Sequence, residues 1–458
     1  MVPRSRSIVR LLLFFVAFAA LVTAHWYPAS AQKNIRFIRD AEIEETIRTY
    51  ATPLFQAAGL NPNAVDVYLI QEDSLNAFVA GGQNIFLHTG LLVRAESVEQ
   101  IMGVIAHETG HIAAGHLAGR QQQLDNSLGQ LLASYAVGIG AAILSGRPEF
   151  LGMAARGGQD IALRNLLTYT RSQEASADQA AVKYMNESGF SPLGLVEFLD
   201  ILSGQEFLLS SSQDPYLQTH PLSRTRVALL EQAVEQSPHK DVGVPAEYKQ
   251  KFQRMQAKLI GFLYSGERVR KAYPAEDVSV AARYARAIAH FRVAKLDEAL
   301  AIINGLIAEH PDDPYFHELK GQMLFENGYA LDAVEPYRKA VELRPNSPLL
   351  RLSTAQVLVS LERPEIYREA IEHLDLVLAR EPRNAMAWRL KSIAHGRLGE
   401  KGETAIAMAE GAMARGDIGQ ARQQAARAAQ YFEEGTPGWL RSKDIEREAE
   451  RIAERRKN

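Results

Sequence analysis

His107-Glu108-Thr109-Gly110-His111 has the residue types and spacing to bind a metal and use it. On a helix, residues four apart sit about 40° apart in projection, so His107 and His111 can grip one ion from a single face. Glu108 lies roughly 60° from His111, which sets its carboxylate beside the water that such an ion activates rather than on the ion. With 12 histidines in 458 residues, chance supplies His-Glu-x-x-His only about 0.02 times. The competing reading, two histidines packed on a buried helix, starts behind on that count.

Two histidines do not complete a catalytic zinc site, which takes a third protein ligand and keeps a position open. Glu174-Ala175-Ser176-Ala177-Asp178 supplies the candidate, again with its two acids four residues apart. Glu174 would close the coordination, and Asp178 would accept the second ring N–H of a ligating histidine and so fix its tautomer. In isolation the pair would read as a solvated acidic face; the small residues between them suit close approach to the first helix. His116, nine residues after His107, falls about 180° round a continuous helix, facing away from the metal as a packed or hydrogen-bonded structural histidine. His88 is assigned no role.

These motifs need elements to hold them. Residues 41–58 read as an amphipathic helix, Val65–Ile70 as a strand, and Leu75–Ala80 with Asn84–His88 as a hairpin across Gly81-Gly82. Ser97, with Gln100 three residues on, is a capping-box start for the histidine helix. Ala106, Ala113, Ala114 and Gly115 would let that helix pack closely. Leu131–Leu144 is an apolar run too short to span a bilayer, so it reads as a buried helix or as a surface-seeking flap in peripheral contact with a membrane. Gly146-Arg147-Pro148 ends it, and helical periodicity returns over 160–186 and again over 192–203.

Ser237–Tyr248 is loose and marks a boundary. Beyond it Ala299 and Pro311, Ala333 and Pro345, and Ala370 and Pro382 recur with one internal spacing. The first interval is 34 residues and the second 37, placing a three-residue insertion near Arg363-Pro364-Glu365. Gly321, Ala333, Tyr337, Ala340 and Pro345 occupy the small, aromatic and breaker positions of a tetratricopeptide repeat. Trp388 opens a further repeat, and Gly416–Tyr431 is a degenerate last one. Such arrays form solenoids that present a groove to other proteins.

The division is therefore a signal peptide at 1–31, a metal-site domain at 32–236, a linker or connecting helix at 237–275, a repeat domain at 276–440 and a charged tail at 441–458. Arg4, Arg6 and Arg10, the apolar Leu11–Val22 and the small-x-small Ala29-Ser30-Ala31 make the N-terminus a secretory signal cleaved after Ala31. There are no cysteines, so the metal ligands are nitrogen and oxygen only. Export without disulfides suits a bacterial periplasm. The net charge of −3 gives no electrostatic case for nucleic acid.

The two acid- and histidine-bearing motifs together resemble the gluzincin peptidase family of HtpX and the CaaX prenyl endopeptidase. Asn76-Ala77-Phe78, running through the glycine hairpin to Thr89-Gly90-Leu91-Leu92, is similar to that family's active-site edge strand. Thr219-His220-Pro221-Leu222 with Arg226 is similar to its downstream His-Pro…Arg element. A signal peptide, a domain without membrane spans and a repeat array look most like the periplasmic BepA-type branch. The resemblance implies a mainly α protein: a zincin-type α+β metallopeptidase domain with a small sheet, then an α-solenoid. It implies one zinc held by His107, His111 and Glu174, with Glu108 as general base and Asn76 on the strand that pairs with substrate backbone. It places His220 and Arg226 near the scissile carbonyl as oxyanion stabilisers, and offers His220 also as a fourth ligand that keeps the site shut. It points to a periplasmic endopeptidase for misfolded or stalled proteins, docked on the outer-membrane β-barrel assembly machinery. The rival reading is a chaperone or adaptor working through its repeats, with zinc in a closed structural site.

Overall fold

The computed structural model describes residues 36–116, 170–206, 216 and 219–455. The signal peptide, the Leu131–Leu144 run, its Gly-Arg-Pro breaker and the first turns of the 160–186 helix lie outside them.

Asp40 caps helix α1 (Ala41–Ala57) by accepting from Ile43 N, and Ile43, Ile47, Tyr50, Leu54 and Phe55 bury its apolar face. A four-stranded mixed sheet follows: β1 (Phe37–Ile38), β2 (Asp66–Ile70), β3 (Ala77–Ala80) and β4 (Asn84–His88), in the order β1-β2-β4-β3. β2 and β4 are parallel, with Asp66 opposite Asn84 and Ile70 opposite His88. β3 and β4 form the expected hairpin, closed at Ala80 and Asn84. Gly81 and Gly82 turn it at φ of 59° and 95°, which side-chain-bearing residues rarely adopt. Among the described residues β3 is thereby an edge strand.

β4 runs into α2 (Thr89–Arg94) and then α3 (Val98–Ala113), which carries the histidine motif. Ser97 accepts from Gln100 N as expected, but the return bond is displaced: Gln100 Oε1 accepts from Glu96 N at 2.8 Å. α4 (Arg171–Glu187) opens with a full capping box between Thr170 and Gln173. α5 (Leu193–Glu206) and α6 (Arg224–Glu235) complete the N-terminal domain. α3 lies among α1, α4, α5 and β3. Its close approaches are made by glycines inside the helix. A Cβ on Gly103 would stand 2.8 Å from Leu195 N, and one on Gly110 3.1 Å from Ala177 Cα. Ala106 is buried as expected, whereas Ala113, Ala114 and Gly115 are exposed because the helix stops there.

The boundary segment is better packed than its composition suggests. α7 (Ala246–Leu263) buries Phe252, Met255 and Leu259 in the same core as α1, the sheet and α3–α6. After α8 (Gly266–Ala272) come ten helices: α9 (Val280–Arg292), α10 (Leu296–Glu309), α11 (Pro314–Glu326), α12 (Ala330–Leu343), α13 (Pro348–Ser360), α14 (Pro364–Arg380), α15 (Ala385–Arg397), α16 (Lys401–Ala414), α17 (Ile418–Ala429) and α18 (Pro437–Arg455). The repeat alanines Ala299, Ala333 and Ala370 are fully buried. His317, Arg351 and Trp388, one per repeat, donate to the carbonyls of Pro311, Pro345 and Pro382 and close equivalent turns. The insertion lengthens a helix rather than a loop, since α14 has 17 residues where α10 and α12 have 14. The charged end is no free tail through Arg455: α18 buries Ser442, Ile445 and Ala449 on one face and packs on α16 and α17.

Polar side chains tie the repeats to the N-terminal domain. Lys258 of α7 sits buried with Asp40 at 2.8 Å, Glu42 at 3.3 Å and Glu318 of α11 at 3.6 Å. Arg254 bridges Glu42 at 2.6 Å and Asp313, and Tyr284 donates to Glu42 at 2.9 Å.

Candidate metal centre

α3 and α4 meet across Gly110 and Ala177, and that contact brings the two motifs together. His107 and His111 project from α3, Glu174 and Asp178 from α4, and His220 arrives from the segment before α6; all are buried. One donor atom each from His107, His111, Glu174 and His220 lies within 4.8 Å of the others. His107 Nε2 is 3.1 Å from His111 Nε2 and 3.4 Å from His220 Nδ1. Glu174 Oε1 is 3.3 Å from His111 Nε2 and 3.0 Å from His220 Nδ1, while its Oε2 is 3.4 Å from His107 Nε2. A tetrahedral ion with bonds of about 2.0–2.1 Å sets its donors about 3.3–3.4 Å apart, so this set fits zinc.

Charge agrees with geometry. Among the described residues, Glu108, Glu174 and Asp178 are buried beside one buried guanidinium, Arg226, an excess that a divalent cation would balance. Burial lowers His111 to about 3, which keeps its ring neutral and able to coordinate. Burial opposes charge on His107 too, but Asp178 and Glu174 outweigh it and raise the ring to about 9. The attraction that draws a proton there would equally draw a cation. Burial alone would raise Glu174; the surrounding histidines, His220 foremost, hold it well below the usual carboxylate range.

Around this set the remaining candidates take definite places. His107 Nδ1 lies 2.9 Å from Asp178 Oδ1, leaving Nε2 for a metal. Glu108 is fully buried, its oxygens have no hydrogen-bond partner among the described residues, and burial raises its pKa. Asn76 immediately precedes edge strand β3; its carbonyl accepts from His88 N at 2.9 Å and its side chain is buried. His88 packs against Phe78 and shares a 2.8 Å hydrogen bond with Ser74, away from the metal set.

Three placements add to the expectation. Arg226 is bound to the α4 acids. Its Nε and Nη2 donate to Asp178, the latter at 2.9 Å, its Nη1 pairs with Glu174 Oε2 at 2.7 Å, and Nη1 also reaches Pro221 O. It thereby pairs with both α4 acids, Asp178 and Glu174. His116 does not face away, because the helix ends before it; its Nδ1 lies 2.9 Å from His111 Nδ1. Tyr216 went unnoticed, yet its ring stacks on His220 at 4.4 Å and 19°. It lies four residues before His220, and nothing in a segment read as a loop turn gave it a partner.

Comparison with known proteins agrees with this architecture. Residues 38–234 match peptidase family M48, and residues 284–348 match a tetratricopeptide repeat family. The beta-barrel assembly-enhancing protease of Escherichia coli (strain K12) is 25% identical over 404 residues, 86% of this chain and 80% of its own. The metalloprotease LoiP of the same organism is 27% identical over 188 residues, 41% of this chain and 69% of its own. The mitochondrial metalloendopeptidase OMA1 of Schizosaccharomyces pombe is 24% identical over 182 residues, 39% of this chain and 49% of its own. The chain carries an M48 metallopeptidase domain followed by tetratricopeptide repeats, and is a metalloendopeptidase.

Proposed function

We propose that this is a zinc-dependent endopeptidase of the periplasm that degrades misfolded or stalled outer-membrane proteins and is closed at rest. The observation that carries the reading is the buried set of His107, His111, Glu174 and His220, with the buried carboxylate of Glu108 beside it making no hydrogen bond among the described residues. Zinc held there would act as a Lewis acid towards a peptide carbonyl and make a water more acidic. Glu108 takes the proton from the attacking water and passes one to the leaving amine. A carboxylate raised by burial suits both halves of that transfer. Asp178 orients His107, and Arg226 holds Asp178 and Glu174 in register. Substrate backbone pairs with edge strand β3 from Asn76 onward.

His220 has two roles. Its Nδ1 faces the ligand set and its Nε2 lies 3.6 Å from Glu108 Oε1. A fourth protein ligand leaves a tetrahedral site without a free position, so the chain must release His220 before it cleaves. Once released, the ring can donate to the developing oxyanion. Relatives spanning most of the chain are named for β-barrel assembly, and repeat arrays bind proteins, so we place the repeat domain on the β-barrel assembly machinery.

The closed site also favours a second reading, a chaperone or adaptor in which zinc is structural. A Glu108→Gln chain expressed in a deletion strain separates the two. Loss of outer-membrane quality control supports proteolysis, and full rescue supports the chaperone.

A further inference from the structure

Among the described residues, the second ring nitrogen of each α3 histidine meets a different partner. For His107 that partner is the Asp178 carboxylate. For His111 it is another histidine, and the helix terminus is built to deliver it. α3 ends at Ala113, and Gly115 takes a φ of 64°. Gly115 N donates to Ile112 O at 3.0 Å and His116 N to His111 O at 3.2 Å, the paired bonds of a left-handed helix cap. This reversal swings His116 back over the last turn. Its Nδ1 comes to 2.9 Å from His111 Nδ1, with ring centroids 5.0 Å apart at 69°.

Two ring nitrogens at that distance share one proton. His111 Nε2 is turned into the donor set, 3.1 Å from His107 Nε2 and 3.3 Å from Glu174 Oε1. The proton therefore belongs on His111 Nδ1, donated to His116 Nδ1, with His116 carrying its own hydrogen on Nε2. The geometry points to His116 as the positioning residue that fixes the tautomer and ring plane of His111, the neutral counterpart of Asp178 at His107. This rests on the metal-site reading above. It goes further by making a residue outside the donor set, on the exposed turn after the helix, a determinant of metal affinity.

Zinc affinity of the full chain, measured by competition with a chromogenic chelator, tests the assignment. His116→Ala should weaken zinc binding by about 10–100-fold. His116→Asn, whose side-chain oxygen can stand where Nδ1 stood, should recover most of it. The cobalt-substituted protein should show altered visible absorption for the alanine variant and near wild-type absorption for asparagine. Melting of the metal-free proteins should be unchanged. Wild-type affinity in His116→Ala overturns the assignment, as does equal weakening in both variants with a lowered metal-free melting temperature, which would mean packing alone. A wild-type chain that takes up no zinc would instead sink the metal site itself, and this inference with it.

Discussion

The Nε2 of His220 lies 3.6 Å from Oε1 of Glu108, while its Nδ1 lies 3.0 Å from Oε1 of Glu174. In the proposed closed state this one residue would block both the position water takes and the carboxylate that activates it.

Replacing His220 therefore tests the latch. His220→Ala should accelerate basal casein cleavage several-fold while weakening zinc retention, since a fourth ligand is lost. A fall in cleavage with zinc fully bound would instead assign His220 to oxyanion stabilisation.

Arg226 gives a contrasting prediction. Its guanidinium neutralises two buried carboxylates, and removing one partner of such a cluster costs about 3–5 kcal/mol. Arg226→Met should lower folding stability by that order in urea titrations and loosen the metal. A variant with unaltered stability and reduced turnover alone would instead support an oxyanion role.

Gly110 sits where α3 meets α4. An alanine there gains up to about 1 kcal/mol of helix propensity. Against this, its Cβ would lie 3.1 Å from Ala177 and 3.2 Å from Ala180 Cβ, and overpacking costs about 1–3 kcal/mol. Gly110→Ala should therefore change folding stability by no more than about 2 kcal/mol, yet weaken zinc binding clearly, because Glu174 moves away from the histidines. Chelator competition on the purified variant would reveal an unchanged affinity if that coupling is wrong.

The seam between the two domains should respond to pH. Burial, opposed by Lys258, raises Glu318 to about 7. A carboxyl raised in the folded state is best accommodated below its unfolded value of about 4.3. Its contribution to stability then falls as pH rises towards 7 and levels off above. Glu318→Gln should flatten this slope and stabilise the protein at pH 8 relative to wild type, with little effect at pH 4. Parallel melting curves for the two proteins between pH 4 and 8 would contradict the assignment.

Spacing within one helix was readable in the sequence; geometry between segments was not. His107 with His111 and Glu174 with Asp178 were visible because four-residue spacing fixes a helix face whatever the tertiary context. The repeat alanines were visible because the period is sequence-local. His116 was misplaced because the helix was continued through Gly115, although glycine just past a helix is itself a stop signal. Tyr216 stacking on His220 and Arg226 reaching α4 are tertiary relationships that no periodicity encodes. The 441–458 segment looked like a tail because its charge outweighed the sparse apolar stripe of Ile445 and Ala449.

Cleavage by this chain depends on Glu108 acting as base beside a bound metal. Zinc content and casein cleavage, measured together on wild type and Glu108→Gln, test it most directly. About one zinc per chain is expected in both proteins, with cleavage lowered by about 10²–10⁴-fold in the variant alone. Cleavage by Glu108→Gln at the wild-type rate would contradict it.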